Sequence, residues 1–99
     1  MQAAHDYELV VIAAPQLDDQ GLATLNERIA GWIAAAGGTL TGTNLWGRRQ
    51  LAYPIRTLRE GVYVLFNFQL PSSASRELER SLRLDEQVIR HMLVRTDED

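Results

Sequence analysis

Twice along this chain the spacing of apolar residues switches from every second residue to every third or fourth, and each time it switches back. A period of two fits a strand and a period of three to four fits a helix packed through one stripe. Tyr7 to Ala13 alternates, with Leu9 and Val11 on one face and Val10 and Ile12 on the other, and is bounded by Pro15. Both faces are largely apolar, as a central strand's would be. Asp18 or Asp19 can then cap a helix whose apolar positions Leu22, Leu25, Ile29, Ile33 and Ala36 fall on one stripe, and Gly37-Gly38 stops it.

Thr39 to Ile55 reads as one long extended segment, with Gly42 and Gly47 as bends or bulges. Pro54 cannot donate to a ladder, so this strand is expected at a sheet edge. Arg56 to Glu60 form a polar turn. Beyond Gly61, core residues Val62, Val64, Phe66, Phe68 and Leu70 alternate with Tyr63, Leu65, Asn67 and Gln69. Past Pro71, the serines at 72, 73 and 75 can start a short helix that buries Ala74, Leu78 and Leu82. Asp85-Glu86-Gln87 turns the chain into a last strand, Val88 to Arg95. The order is β-α-β-β-α-β, the split βαβ pattern of an α+β, ferredoxin-like fold. Four antiparallel strands make one sheet, with two helices on one face.

At 99 residues the chain fits a single domain, 1–99, with a core that needs no metal or disulfide support. Cysteine is absent, which excludes thiolate metal sites and a cysteine nucleophile. Residues 1–6 carry no basic leader, and the apolar run Leu9 to Ala14 falls far short of the ~20 residues of a membrane span. A cytoplasmic protein is expected. All 10 basic residues are arginine, within a net charge of -3. The acidic end, from about residue 96 to 99, reads as a flexible tail.

Two surfaces stand out. The sheet face away from the helices would carry Val10, Ile12, Tyr63 and Leu65, and a contiguous apolar patch marks an interface; with the face assignment reversed, these residues would touch the helices instead. The segment Trp46-Gly47-Arg48-Arg49-Gln50-Leu51-Ala52-Tyr53-Pro54-Ile55, followed by Arg56 and Arg59, concentrates guanidinium groups and aromatics on an acidic protein. Its planar forks suit phosphate. They also suit a solvated edge charged against sheet-to-sheet aggregation. Arg90 and Arg95 could add to the basic surface from the other edge.

No catalytic constellation competes with these surfaces. His5 sits in an N-terminus expected to fray and His91 in the last strand, neither with a serine, cysteine or metal-spaced partner near in sequence. Asp18-Asp19 and Asp85-Glu86 stand where helix caps and turns want carboxylates. No phosphate loop or dinucleotide fingerprint is present. The strand Arg59 to Phe66 resembles the aromatic motif of RNA-recognition folds, but alternation leaves Tyr63 as its one ring on the open face. No enzyme, cofactor or metal site is expected.

The blocks Trp46 to Ile55 and Leu82-Arg83-Leu84-Asp85 to Val88-Ile89-Arg90-His91 resemble the bacterial small-subunit ribosomal protein S-six family. So do the opening Tyr7-Glu8 strand, Gly37-Gly38 and Glu60-Gly61, so the resemblance covers nearly the whole chain. It implies a non-enzymatic, structural role on the central domain of small-subunit rRNA, bound as a heterodimer with ribosomal protein S-eighteen. Carried onto this chain, the positions near RNA are Arg48, Arg49, Tyr53, Arg56 and Arg90. The open face, Val10, Ile12, Tyr63 and Leu65, is the candidate partner surface, and the isolated chain is expected to be a monomer. Many members carry arginine or lysine just before the first-strand tyrosine, where this chain has Gln2-Ala3-Ala4-His5-Asp6. Two other readings are a ferredoxin-like regulatory or ligand-binding domain that homodimerises through its open sheet face, and a small phosphate-ester or acyl-phosphate hydrolase.

Overall fold

The structure, a computed structural model, describes residues 4–55 and 58–97, with Pro54 described by its backbone alone. Its elements run β1 (Ala4–Ala13), α1 (Asp19–Ala35), β2 (Thr39–Ile55), β3 (Leu58–Pro71), a 3₁₀ turn (Ser72–Ala74), α2 (Ser75–Leu84) and β4 (Val88–Arg95). The strands form one sheet in the order β2-β3-β1-β4, every neighbouring pair antiparallel. This is the expected ferredoxin-like arrangement, with β1 and β3 central and β2 at an edge, as Pro54 requires.

Asp18 is the cap of α1: its carboxylate accepts from the Gly21 N–H at 2.7 Å, leaving Asp19 in the first turn near the positive end of the helix dipole. Leu25, Ile29 and Ile33 are buried, and Leu22 and Ala36 pack against them. The helix closes where the Gly38 N–H donates to Ile33 O at 2.9 Å, after Gly37 has taken a φ of 86°. Helix α2 buries Leu78 and Leu82 through the same spacing. Arg28 joins α1 to the turn after α2, donating to Asp85 at 2.8 Å and to the Gln87 side chain at 2.9 Å. Asp85 also accepts from the Gln87 N–H, so one carboxylate fixes both the turn and a helix face.

Alternation carries the rest of the core. Leu9, Val11, Val64, Phe66, Phe68 and Leu70 lie under the two helices and are all essentially inaccessible to solvent. Each side chain of this size contributes about 1.5–3 kcal/mol on burial. Tyr7 stacks on Phe68 with ring centroids 5.8 Å apart. Val10 and Tyr63, one residue out of phase, lie on the other face.

Strands β2 and β3 are longer than the sheet that carries them. β1 pairs with β3 only as far as Ala13 opposite Val62, whereas β2 continues along β3 through Arg49 opposite Gly61, Gln50 opposite Glu60 and Ile55 opposite Leu58. The surplus runs on as a two-stranded arm in a molecule whose longest extent is 44 Å. The polar turn expected over Arg56 to Glu60 is shorter than that, since β3 already begins at Leu58. Arg56 and Thr57 lie outside the described residues.

The end of β4 is joined to the start of β1, so His5 belongs to a paired strand and not to a frayed end. Thr96 N–H donates to Asp6 O at 2.8 Å. Asp97 takes Arg95 Nε at 2.8 Å, lies 3.1 Å from His5 Nδ1, and takes the Asp6 N–H at 3.2 Å. Thr96 and Asp97 thus make defined contacts in the segment that its acidity marks as a flexible tail; Glu98 and Asp99 lie outside the described residues. The Arg95 guanidinium, helped by Asp6 N–H and His5 and opposed by partial loss of hydration, lowers the Asp97 carboxyl from 3.8 to about 2. A lowered folded-state value means that this clasp stabilises fully above about 4 and is lost as the pH falls toward about 2. A carbon-detected titration is expected to place the Asp97 midpoint near 2; a midpoint at 3.8 would show that the clasp does not form in solution.

Candidate nucleic-acid interface

The open sheet face is continuous by register. Val10 stands between Leu65 of β3 and Met92 of β4, and Ile12 stands between Tyr63 and Arg90. Met92 and Val94 extend the apolar surface toward the β4 edge, 58% and 47% exposed. A shallow depression over this face is lined by Val10, Ile12, Tyr63, Arg90, His91 and Met92. Ile12 is nearly covered within the domain, so the accessible apolar surface is mainly Val10, Tyr63, Leu65, Met92 and Val94.

The arginine cluster divides. Arg48 pairs with Val62, a core position, so it points to the helix side; its Nη1 donates to Pro15 O at 2.5 Å and to Glu60 Oε1 at 3.3 Å. The Arg48–Glu60 pair is 47% exposed at both ends and adds little stability. Arg49 pairs with Gly61 and takes the opposite face. Its guanidinium carbon sits 5.6 Å from the centroid of the Trp46 ring, and Trp46 stacks on Tyr63 at 6.4 Å with planes 15° apart.

Tyr53, 73% exposed, stands on the projecting arm, and Arg59 lies there beside Gln50, Leu51 and Ala52. Arg90, also exposed, borders the open face from the far edge. Three strand spacings, about 14 Å, separate the edge strands β2 and β4, so Arg49 and Arg90 border the open face from opposite edges. Arg56 lies outside the described residues. The structure therefore brings Arg49, Tyr63 and the apolar patch together, and sets Arg48 on the other side of the sheet.

Trp46 opens the segment that stands out in the sequence, but its place beside Arg49 and Tyr63 was not legible there. Strict alternation would place it with Arg48, away from Arg49. The register shift between Leu45 and Gly47, with Gly47 at a φ of 92°, inserts Trp46 as the extra residue of a bulge and turns its ring onto Tyr63. The glycine was a visible bulge signal; the face to which the bulge sends its neighbour was not. Phe66 and Phe68 are in the core as alternation requires, yet the open face holds two stacked rings and not one.

Among the described residues, no cluster of histidine, aspartate or glutamate could hold a metal ion, and no helix is long and apolar enough to cross a membrane. The family model for ribosomal protein S6 matches residues 6–95. The chain belongs to the ribosomal protein S6 family. Small ribosomal subunit protein bS6 of Carboxydothermus hydrogenoformans is 41% identical over 91 residues, which cover 92% of this chain and 95% of that one. The Symbiobacterium thermophilum protein of the same name is 42% identical over 92 residues, covering 93% and 97%. A crystal structure of 30S ribosomal protein S6 from Thermotoga maritima shares the fold with a TM-score of 0.89 at 27% identity, over 95% of this chain and 89% of that one. The S6 family is structural and not enzymatic, so the chain is a component of the bacterial small ribosomal subunit that binds rRNA, and it works in the cytoplasm on the ribosome.

Proposed function

We propose that this S6 domain binds the central domain of small-subunit rRNA together with ribosomal protein S-eighteen. The partner covers the open face at Val10, Ile12, Tyr63 and Leu65, and RNA is met by Arg49, Tyr53 and Arg90, with Arg48 and Arg56 alongside. The observation that carries this reading is the unbroken surface from apolar face to arginine edge through Tyr63, Trp46 and Arg49. A protein seated on the face would border the same arginine that meets phosphate. Arg48 has the weaker claim, because Pro15 O and Glu60 already engage its guanidinium. Contacts of this kind read RNA backbone and shape more than sequence.

With a net charge of -3, the domain alone is a poor ligand for a polyanion, and its affinity for RNA depends on the joint surface. In a filter-binding titration against a central-domain rRNA fragment, the heterodimer is expected to bind on the order of 100-fold more tightly than the isolated domain, a coupling of about 3 kcal/mol. Equal affinity with and without the partner would overturn the reading.

Met92 and Val94, which widen the apolar face, also fit a second copy of this chain, the arrangement of a regulatory or ligand-binding domain that homodimerises. Sedimentation of the isolated domain separates the two: a monomer supports the ribosomal pairing, and a stable homodimer supports self-association.

A further inference from the structure

We propose that Trp46 is a positioning residue for Arg49: it holds the guanidinium at the β2 edge, on the open-face side, with the donor edge of the fork presented to an RNA phosphate. This rests on the reading of the arginine edge as the rRNA side. Arg49 lies over Trp46 at 5.6 Å, and Trp46 rests on Tyr63 with nearly parallel planes. Tyr63 is rooted in β3, which has a strand on each side, so the three planar groups run from the middle of the sheet to its edge.

The chemistry of a guanidinium makes this arrangement productive. The cation–π contact takes up the side of the guanidinium over the ring, whereas phosphate is bound by N–H groups that point away from it. One interaction therefore does not compete with the other. Arg48 is the contrast, since its Nη1 is spent on Pro15 O and Glu60. Among the described residues, no carboxylate pairs with Arg49. An unrestrained arginine loses rotamer freedom when RNA fixes it. A side chain already held over an indole by a cation–π contact loses less, and the difference appears as affinity.

The backbone serves the same end. Without the bulge at Gly47, alternation would carry the Trp46 ring to the face of Arg48, and Arg49 would lose the indole beneath it. A substituted Cβ at Gly47 would meet nothing within 4 Å, so no packing constraint from neighbouring atoms calls for glycine there. Its positive φ does.

The test uses the heterodimer with S-eighteen and a central-domain rRNA fragment, and reads affinity across a salt series. Arg49→Ala is expected to weaken binding about fivefold and to lower the salt slope by about one, as loss of one phosphate contact does. Trp46→Ala is expected to do the same, although it removes no charge, and the double variant is expected to add less than about twofold to either. Trp46→Phe, which keeps a ring under the cation, restores most of the slope.

A purely structural tryptophan would change stability or affinity and leave the slope where it was; an unchanged slope in Trp46→Ala overturns the proposal. Should Trp46→Ala not fold, Trp46→Leu retains apolar bulk without a π face, and the same outcomes apply to it. A wild-type heterodimer that fails to bind the fragment overturns the underlying reading as well. Wild-type binding with an Arg49-dependent slope that ignores Trp46 removes the positioning role alone.

Discussion

Gly38→Ala is expected to destabilise the domain by about 3 kcal/mol, at the upper end of the usual cost of overpacking. A Cβ at that position would stand 2.7 Å from Gln69 O, 2.9 Å from Ile33 O and 2.9 Å from Ile33 Cγ2. Two of these atoms are backbone, one in β3 and one in the last turn of α1, so no side-chain rotation relieves the clash. Relief would have to come from moving the helix end away from the sheet, which would loosen the Gly38 N–H bond to Ile33 O and the burial of Ile33. At roughly 4–8 °C per kcal/mol for a domain of this size, the melting temperature should fall by about 12–24 °C. A drop of less than about 5 °C in a thermal melt would mean that the joint between α1 and β2 is looser than described.

The second large effect is on assembly and not on folding. If the partner sits as proposed, Leu65→Asp is expected to weaken pairing with S-eighteen by more than about 100-fold, because a carboxylate in the middle of the apolar face would be desolvated without a partner. Leu65 faces away from the helices, between Val10 and Asn44, and is only partly buried in the isolated domain. The fold itself should therefore change by no more than about 1 kcal/mol, the usual range for a substitution outside the core. Calorimetric titration of the partner checks the first expectation and a thermal melt the second. Unaltered partner affinity in a folded Leu65→Asp protein would place the partner on some other surface. Cooperative RNA binding should disappear together with pairing, leaving the weak affinity of the isolated domain.

Periodicity explains how much of this molecule could be read from its residues. The alternation from Val62 to Leu70 and the stripe from Leu22 to Ile33 each imply one buried face, and those faces meet in the core. Pro54 placed β2 at the edge through its missing donor, and Gly37-Gly38 marked the end of α1 through the conformation that ends helices. These signals are local, carried by residues within a turn or two of one another. The features that escaped depend on distance or on broken periodicity. Arg28 meets Asp85 and Gln87 across more than fifty residues, and His5 meets Asp97 across ninety-two.

At the candidate site the same division holds. Arg48 and Arg49 were legible as a pair of cations, and their separation onto two faces follows from strand alternation. The face that Trp46 takes was hidden because one inserted residue reverses the face of everything before it. The projecting arm was hidden because strand length in sequence does not say how far a neighbouring strand will follow.

β1 lies between β3 and β4, and Tyr7 is opposite Arg95. During synthesis β1 must wait for nearly the whole domain before its second neighbour exists, so the sheet cannot close until residues 88–95 have been added. Contacts of such long sequence separation are entropically late and slow to form. Until then Leu9 and Val11 have β3 beside them on one side only, and the open edge of β1 is a nascent-chain liability. Asp6 and Glu8, carried along that strand, put charge on a segment that would otherwise be apolar at the stage when it is least protected.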